Sequence, residues 1–242
     1  MGEKVSVCFV TDAHQEKYVN KFNLKVKNFD SDFFYYVCTD LPHLIQKKEN
    51  LKVFSLLELQ DRHPESLKYE KIDDMVSYSN YPWNNRRHII NKAFEDGFDY
   101  VIWTDCDVEL GVDKELLMKE LMSYQIDNVY TQSTIWGYSE NLEQRMFYNC
   151  DLVLKYLNNK IDKTELITHD GPTAIYYLSK EKQNLFIKYW DDITLYGYES
   201  KYYRKGNWFI PNLSYVFPLS KVGLKSVNKK LFKINHNTDD RY

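Results

Sequence analysis

The sequence predicts an α/β fold, a central sheet flanked by helices, in a single domain. Two observations carry this. Short apolar runs rich in Val, Ile, Phe and Tyr recur at residues 5–10, 33–38, 51–56 and 100–104, each of strand length and each bounded by polar or turn-forming residues. Between and after them lie segments whose apolar residues repeat at helical spacing. Alternation of the two patterns marks a sheet covered by helices.

In chain order, residues 5–10 read as a buried first strand that runs into Thr11-Asp12. A helix over residues 14–26 aligns Val19, Phe22 and Val26 on one face. The second strand, 33–38, runs into Thr39-Asp40, and the third is 51–56. Residues 58–79 are polar and weakly periodic, a loop with helical pieces. Residues 81–88 then open a helix that carries Ile89, Ile90, Ala93 and Phe94 as its apolar stripe and stops at Gly97. The strand 100–104 follows at once. Asp113 caps a helix reaching residue 124, with Leu116, Leu117, Leu121 and Met122 as its buried face. Short strands at 129–133 and 174–178 enclose an amphipathic helix over 142–156.

Composition narrows the function classes. At 242 residues, with 43% hydrophobic and 16% aromatic residues, the chain can bury a substantial core and is not disordered. A net charge of -3 argues against capture of nucleic acid by the whole surface. Basic residues nonetheless gather late, at Lys201, Arg204, Lys205, Lys221, Lys225, Lys229, Lys230, Lys233 and Arg241, against Asp239 and Asp240. Such an end suits a diphosphate, an anionic acceptor, a nucleic-acid backbone or simply water. Cys8, Cys38, Cys106 and Cys150 are widely spaced and mostly sit in apolar runs, so they read as reduced, buried thiols. Met1 to Lys4 lead into a strand without the apolar core of a signal peptide, and no run approaches the ~20 apolar residues of a membrane span. The expectation is a soluble, cytoplasmic protein without an integral membrane segment.

The strand Tyr100-Val101-Ile102-Trp103-Thr104 ends on Asp105-Cys106-Asp107. Two carboxylates one residue apart at a strand end can converge on a hard divalent cation that keeps positions open for substrate phosphates. This Asp-x-Asp, after about a hundred residues of α/β pattern, resembles that of the nucleotide-sugar-dependent glycosyltransferases of the GT-A fold. The resemblance implies a mixed, Rossmann-like central sheet, with a nucleotide-sugar half, residues 1–110, and an acceptor-binding, metal-completing half of the same domain, residues 111–242. It also implies that Thr11 and Asp12, with Asp40 behind them, meet the base or ribose of a UDP-sugar. Arg86 or Arg87 would contact the diphosphate or orient Asp105, the other arginine being a solvated helix face. Asp105 would serve both nucleotide and metal.

Farther on, Tyr196-Gly197-Tyr198-Glu199, then Arg204, Gly206, Pro211 and an isolated His236, resemble the end of galactosyltransferase-like and chondroitin-polymerase-like enzymes. Those families carry a Trp-Gly-Gly-Glu-Asp box and a metal-binding His. Ser200 stands where the box has its second acid. The resemblance makes Glu199 the general base for single displacement with inversion, and His236 the third ligand, beside Asp105 and Asp107, of Mn²⁺ or Mg²⁺. His169 and Asp170 are candidates for acceptor contact, Asp170 also as a second catalytic carboxylate. Trp136 and Tyr198 are candidates for stacking on or touching the acceptor.

The activity implied is transfer of a hexosyl or pentosyl group to a glycan or glycoconjugate hydroxyl. Three other readings fit parts of the sequence. A phage-type enzyme glycosylating a hydroxymethylated DNA base would use the basic end; a non-catalytic nucleotide-sugar- or DNA-binding protein would explain Ser200. A haloacid-dehalogenase-type phosphohydrolase also uses Asp-x-Asp after an apolar strand, though on its first strand.

Overall fold

A computed structural model describes residues 5–60, 82–106, 108–111, 113–131, 135–137, 167–169, 173–199, 222, 224–228 and 233–236. The chain folds around a seven-stranded mixed sheet. Its strands are β1 (Val7–Asp12), β2 (Phe34–Thr39), β3 (Leu51–Ser55), β4 (Tyr100–Thr104), β6 (Asn128–Thr131), β9 (Thr173–Tyr177) and β10 (Lys225–Asn228), in the order β10-β6-β9-β4-β1-β2-β3. Two ribbons stand outside it: β5 (Val108–Gly111) with β11 (Lys233–His236), and β7 (Ile135–Gly137) with β8 (Ile167–His169), both antiparallel. Among the described residues the helices are α1 (Gln15–Val26), α2 (Leu56–Gln60), α3 (Pro82–Glu95), α4 (Lys114–Leu121) and α5 (Lys180–Glu199).

Strand β1 pairs in parallel with β2 on one side and with β4 on the other. The chain therefore walks outward from β1 to β2 and β3, then returns through α3 and resumes on the far side of β1. Right-handed crossovers in opposite directions place their helices on opposite faces. So it is here: α1 covers one face with Val19, Phe22 and Val26 on Val37 and Leu51. Helix α3 covers the other, with Ile89, Ile90, Ala93 and Phe94 on Cys8, Val10, Val101 and Trp103. Strand β9 runs antiparallel to both β4 and β6, which makes the sheet mixed as the resemblance implies.

Helix α5 packs beside α3 on that second face through Phe186, Ile187 and Trp190. The sequence pattern leaves this helix unassigned, because Thr194, Tyr196, Gly197 and Tyr198 in its last turns have weak helical preference. Burial of its first turns against the sheet overrides that preference. Helix α4 corrects another expectation. Asp113 caps it as predicted, accepting from the Leu116 amide at 3.0 Å. Leu117 and Leu121 are buried, but Leu116 and Met122 are 56% and 76% exposed. The helix closes at Leu121, so this i, i+4 pair, with half-buried Met118 beside it, makes its contact with the sheet, and Tyr124, stacked on Tyr130 at 3.7 Å, completes it. The predicted helix over 142–156 and most of the 58–79 loop lie outside the described residues.

Cys8, Cys38 and Cys106 are free and buried, as expected. Burial pushes the thiols of Cys8 and Cys38 well above their ordinary range. Buried Tyr100 packs its ring and satisfies its tip: it stacks on Tyr177 at 4.2 Å and donates to the Leu121 carbonyl at 2.7 Å. Among the described residues, no helix is long and apolar enough to cross a membrane.

Phe186 is fully buried between Tyr176 and Trp190, with ring centroids 5.6 Å and 5.4 Å away. Phe186→Ala is expected to cost about 3–5 kcal/mol in urea unfolding, and a loss below about 1 kcal/mol would contradict this packing role. At the end of α3, burial alone would raise the Asp96 pKa, but hydrogen bonds from Lys92 and from the Tyr36 hydroxyl outweigh it and hold the carboxyl below its ordinary value. Its stabilising contribution is thus present above the unfolded carboxyl pKa of about 4 and lost as pH falls through the lower folded value. Asp96→Asn should be less stable than wild type near neutrality, with the gap closing in acid; an undiminished gap in acid would contradict the assignment.

Candidate active site

Three strands end in Thr-Asp, at Thr11-Asp12, Thr39-Asp40 and Thr104-Asp105. Because β1, β2 and β4 are mutually parallel, all three pairs stand on one rim of the sheet. Val10 is level with Trp103, so the same register carried two residues on brings Asp12 level with Asp105. The two acids flank the point where chain progression across the sheet reverses. In open α/β sheets, ligands bind in the crevice outside the carboxyl ends of strands at such a switch point.

Asp105 is tied to α3. Arg86, 6% exposed, donates from Nη2 to Asp105 Oδ1 at 3.0 Å. The same oxygen accepts from Trp103 Nε1 at 3.2 Å, and the Arg86 guanidinium lies 4.4 Å from the Trp103 ring centroid. Arg87 overturns an expectation. It is no solvated residue: it is 2% exposed, and its Nε donates to Asp191 Oδ1 on α5 at 2.5 Å. Adjacent helical positions point about 100° apart, so one arginine turns to the rim and the other to the neighbouring helix. Both faces are buried because α5 covers the second.

Thr11 and Asp12 are buried at the end of β1, while Asp40 is exposed at the end of β2 and accepts from the Gln15 amide at 3.2 Å. Between them His14, missed by sequence reasoning, is 6% exposed with Nδ1 3.6 Å from Asp40 Oδ1. A cavity of about 150 Å³ opens beside this rim on the α1 face. Thr11, Thr104, Asp105 and Cys106 line one end, Lys25, Asn28 and Asp30 the other, with the rings of Phe9, Phe29 and Tyr35 between. Phe29 stacks on Tyr35 at 3.8 Å. The Lys25 ammonium donates to the Cys106 carbonyl, joining α1 to the segment between the two motif acids.

The remaining candidates come from the second half of the chain. In the β5–β11 ribbon His236 is paired with Val108, the residue after Asp107, so the backbone brings the predicted third ligand alongside the motif. In the β7–β8 ribbon Trp136 is paired with Thr168 and Ile135 with His169, which makes Trp136 and His169 backbone neighbours. Tyr198 and Glu199 fall in the final turn of α5. Asp107 and Asp170 lie outside the described residues. Among the described residues, no group of three or more His, Cys, Asp or Glu side chains stands ready for a metal ion. The donor set of two carboxylates and an imidazole does suit Mn²⁺ or Mg²⁺ chemically, and the pairing of His236 beside the motif is compatible with it.

No protein-family profile and no curated protein matches the sequence. The fold does have a likeness. Mouse xyloside xylosyltransferase 1, in its apo crystal structure, superimposes with a TM-score of 0.52 over 93% of this chain and 85% of that one, at 9% sequence identity. At that identity the likeness is one of fold, and the fold is the GT-A, Rossmann-like arrangement of mixed sheet and flanking helices that the sequence predicts. Among the described residues, three strands precede the Asp105 strand, which borders an antiparallel strand, away from the first-strand position the phosphohydrolase reading requires.

The Arg87–Asp191 pair joins α3 to α5 within a buried contact. In a double-mutant cycle, Arg87→Met and Asp191→Ala should show a coupling of about 1–3 kcal/mol in urea unfolding. Strict additivity would mean that the two side chains do not act as a pair.

Proposed function

We propose that the chain is a metal-dependent glycosyltransferase that moves a sugar from a nucleotide diphosphate sugar, with UDP the favoured nucleotide, to a hydroxyl of a glycan or glycoconjugate. The observation that carries the reading is the placing of Asp12 and Asp105 level with each other at the switch point of a GT-A-type sheet, with Arg86 holding Asp105. A glycosyltransferase among the structural likenesses supports the same class of chemistry.

In this reading Thr11, Asp12 and Asp40 meet the base and ribose, Arg86 lends positive charge near the diphosphate, and Arg87 keeps α5 against α3. Asp105, Asp107 and His236 would hold Mn²⁺ or Mg²⁺, which when bound offsets charge on the departing diphosphate. Glu199 would take the proton from the attacking hydroxyl. Trp136, His169, Asp170 and Tyr198 would bound the acceptor.

The test is a thermal-shift series of nucleoside diphosphates and their sugars with Mn²⁺ or with chelator, on wild type and on Asp107→Ala. A ligand at about 100 times its Kd adds about 2.7 kcal/mol to stability, worth several degrees of Tm. UDP or a UDP-sugar should raise the wild-type Tm only with metal, and Asp107→Ala should lose the rise. Absence of any metal-dependent rise across the series would sink the proposal.

A further inference from the structure

We infer that Trp103 is a positioning residue of this site, acting with Arg86 to aim the Asp105 carboxylate before any ligand arrives. The inference rests on the reading of the rim as a nucleotide and metal site. Trp103 lies in the middle of the sheet, 1% exposed, where an aliphatic side chain or a phenyl ring would also fill space. Its one polar atom is turned to the rim, and Nε1 donates to Asp105 Oδ1 at 3.2 Å.

That contact closes a triangle. The Arg86 guanidinium rests over the indole, 4.4 Å from its centroid, and donates to the same Oδ1 at 3.0 Å. A buried cation is costly unless it is paired. Here a carboxylate and an electron-rich ring face share it, and indole offers the best such face among side chains. Two donors arriving from different elements at one oxygen fix both rotatable bonds of the aspartate. The carboxylate is therefore held by β4 through Trp103 and by α3 through Arg86, which is how supporting residues pre-aim a ligand-binding group. A tryptophan serving only as core would be replaceable by phenylalanine without effect on ligand binding.

The experiment compares wild type with Trp103→Phe in calorimetric titration of UDP in Mn²⁺, alongside the indole ¹H–¹⁵N resonances of the wild type. The chain has five tryptophans, so the indole resonance missing from Trp103→Phe identifies Trp103. The expected result is a Tm lowered by the smaller ring in the core, with the folded protein's UDP affinity weakened about tenfold or more. The Trp103 indole resonance should also move when UDP and Mg²⁺ are added, and when Asp105→Asn is introduced. Affinity within twofold of wild type would overturn the inference, and so would an indole resonance indifferent to Asp105→Asn. If Trp103→Phe fails to fold, the wild-type and Asp105→Asn resonances decide. If wild type binds no nucleoside diphosphate, the functional proposal fails by itself. The clamp is then judged by the dependence of the indole resonance on Asp105 alone.

Discussion

Everything at the rim depends on β1 being paired in parallel on both sides. A parallel ladder fixes strand direction as well as register, so every strand that joins β1 this way presents its carboxyl end to the same side. Three Thr-Asp dipeptides separated widely in sequence thereby become one row of acids. The crossovers that create the reversal between β1 and β4 also send α1 and α3 to opposite faces, which leaves the crevice open between them. Were β4 antiparallel to β1, Asp105 would lie at the far edge of the sheet from Asp12.

The second constraint is electrostatic. Helix α3 brings two arginines into the interior, and each meets an acid: Asp105 on the rim and Asp191 on α5. One pair faces the prospective ligand and the other braces the helix that carries the first. Truncating either partner would leave a buried or half-buried charge without its counter-ion, so the two pairs make the position of α3 relative to β4 and α5 specific as well as stable.

Legibility in the sequence follows the range of the interaction. The strands of the first half, α1 and the cap at Asp113 rest on local pattern and are read correctly from the residues alone, whereas the Thr-Asp pairs share a rim only through the parallel pairing of β1. Arg87 is not legible locally, because what buries it is a helix contributed by residues far downstream, and no local signal distinguishes a buried arginine from an exposed one beside Arg86. Trp103 reads as core because indole in an apolar strand nearly always is. Strands β5 and β11 are short and mixed in character, so only their pairing defines them. His236 was a candidate through resemblance, yet its place beside Val108 emerges only from the ladder.

That last ladder has a consequence for the order in which the molecule takes shape. The β1–β2–β3 units and α3 close through modest loops, whereas β11 must find β5 across more than a hundred residues, and closure entropy grows with that separation. The strand after the motif thus waits for the end of the chain before its hydrogen bonds are met. Until then β5 presents an unpaired edge beside a cluster of acids, a place open to strand addition by another chain. A molecule cut short before Lys233 would keep its seven-stranded sheet and its acidic rim while carrying that open edge.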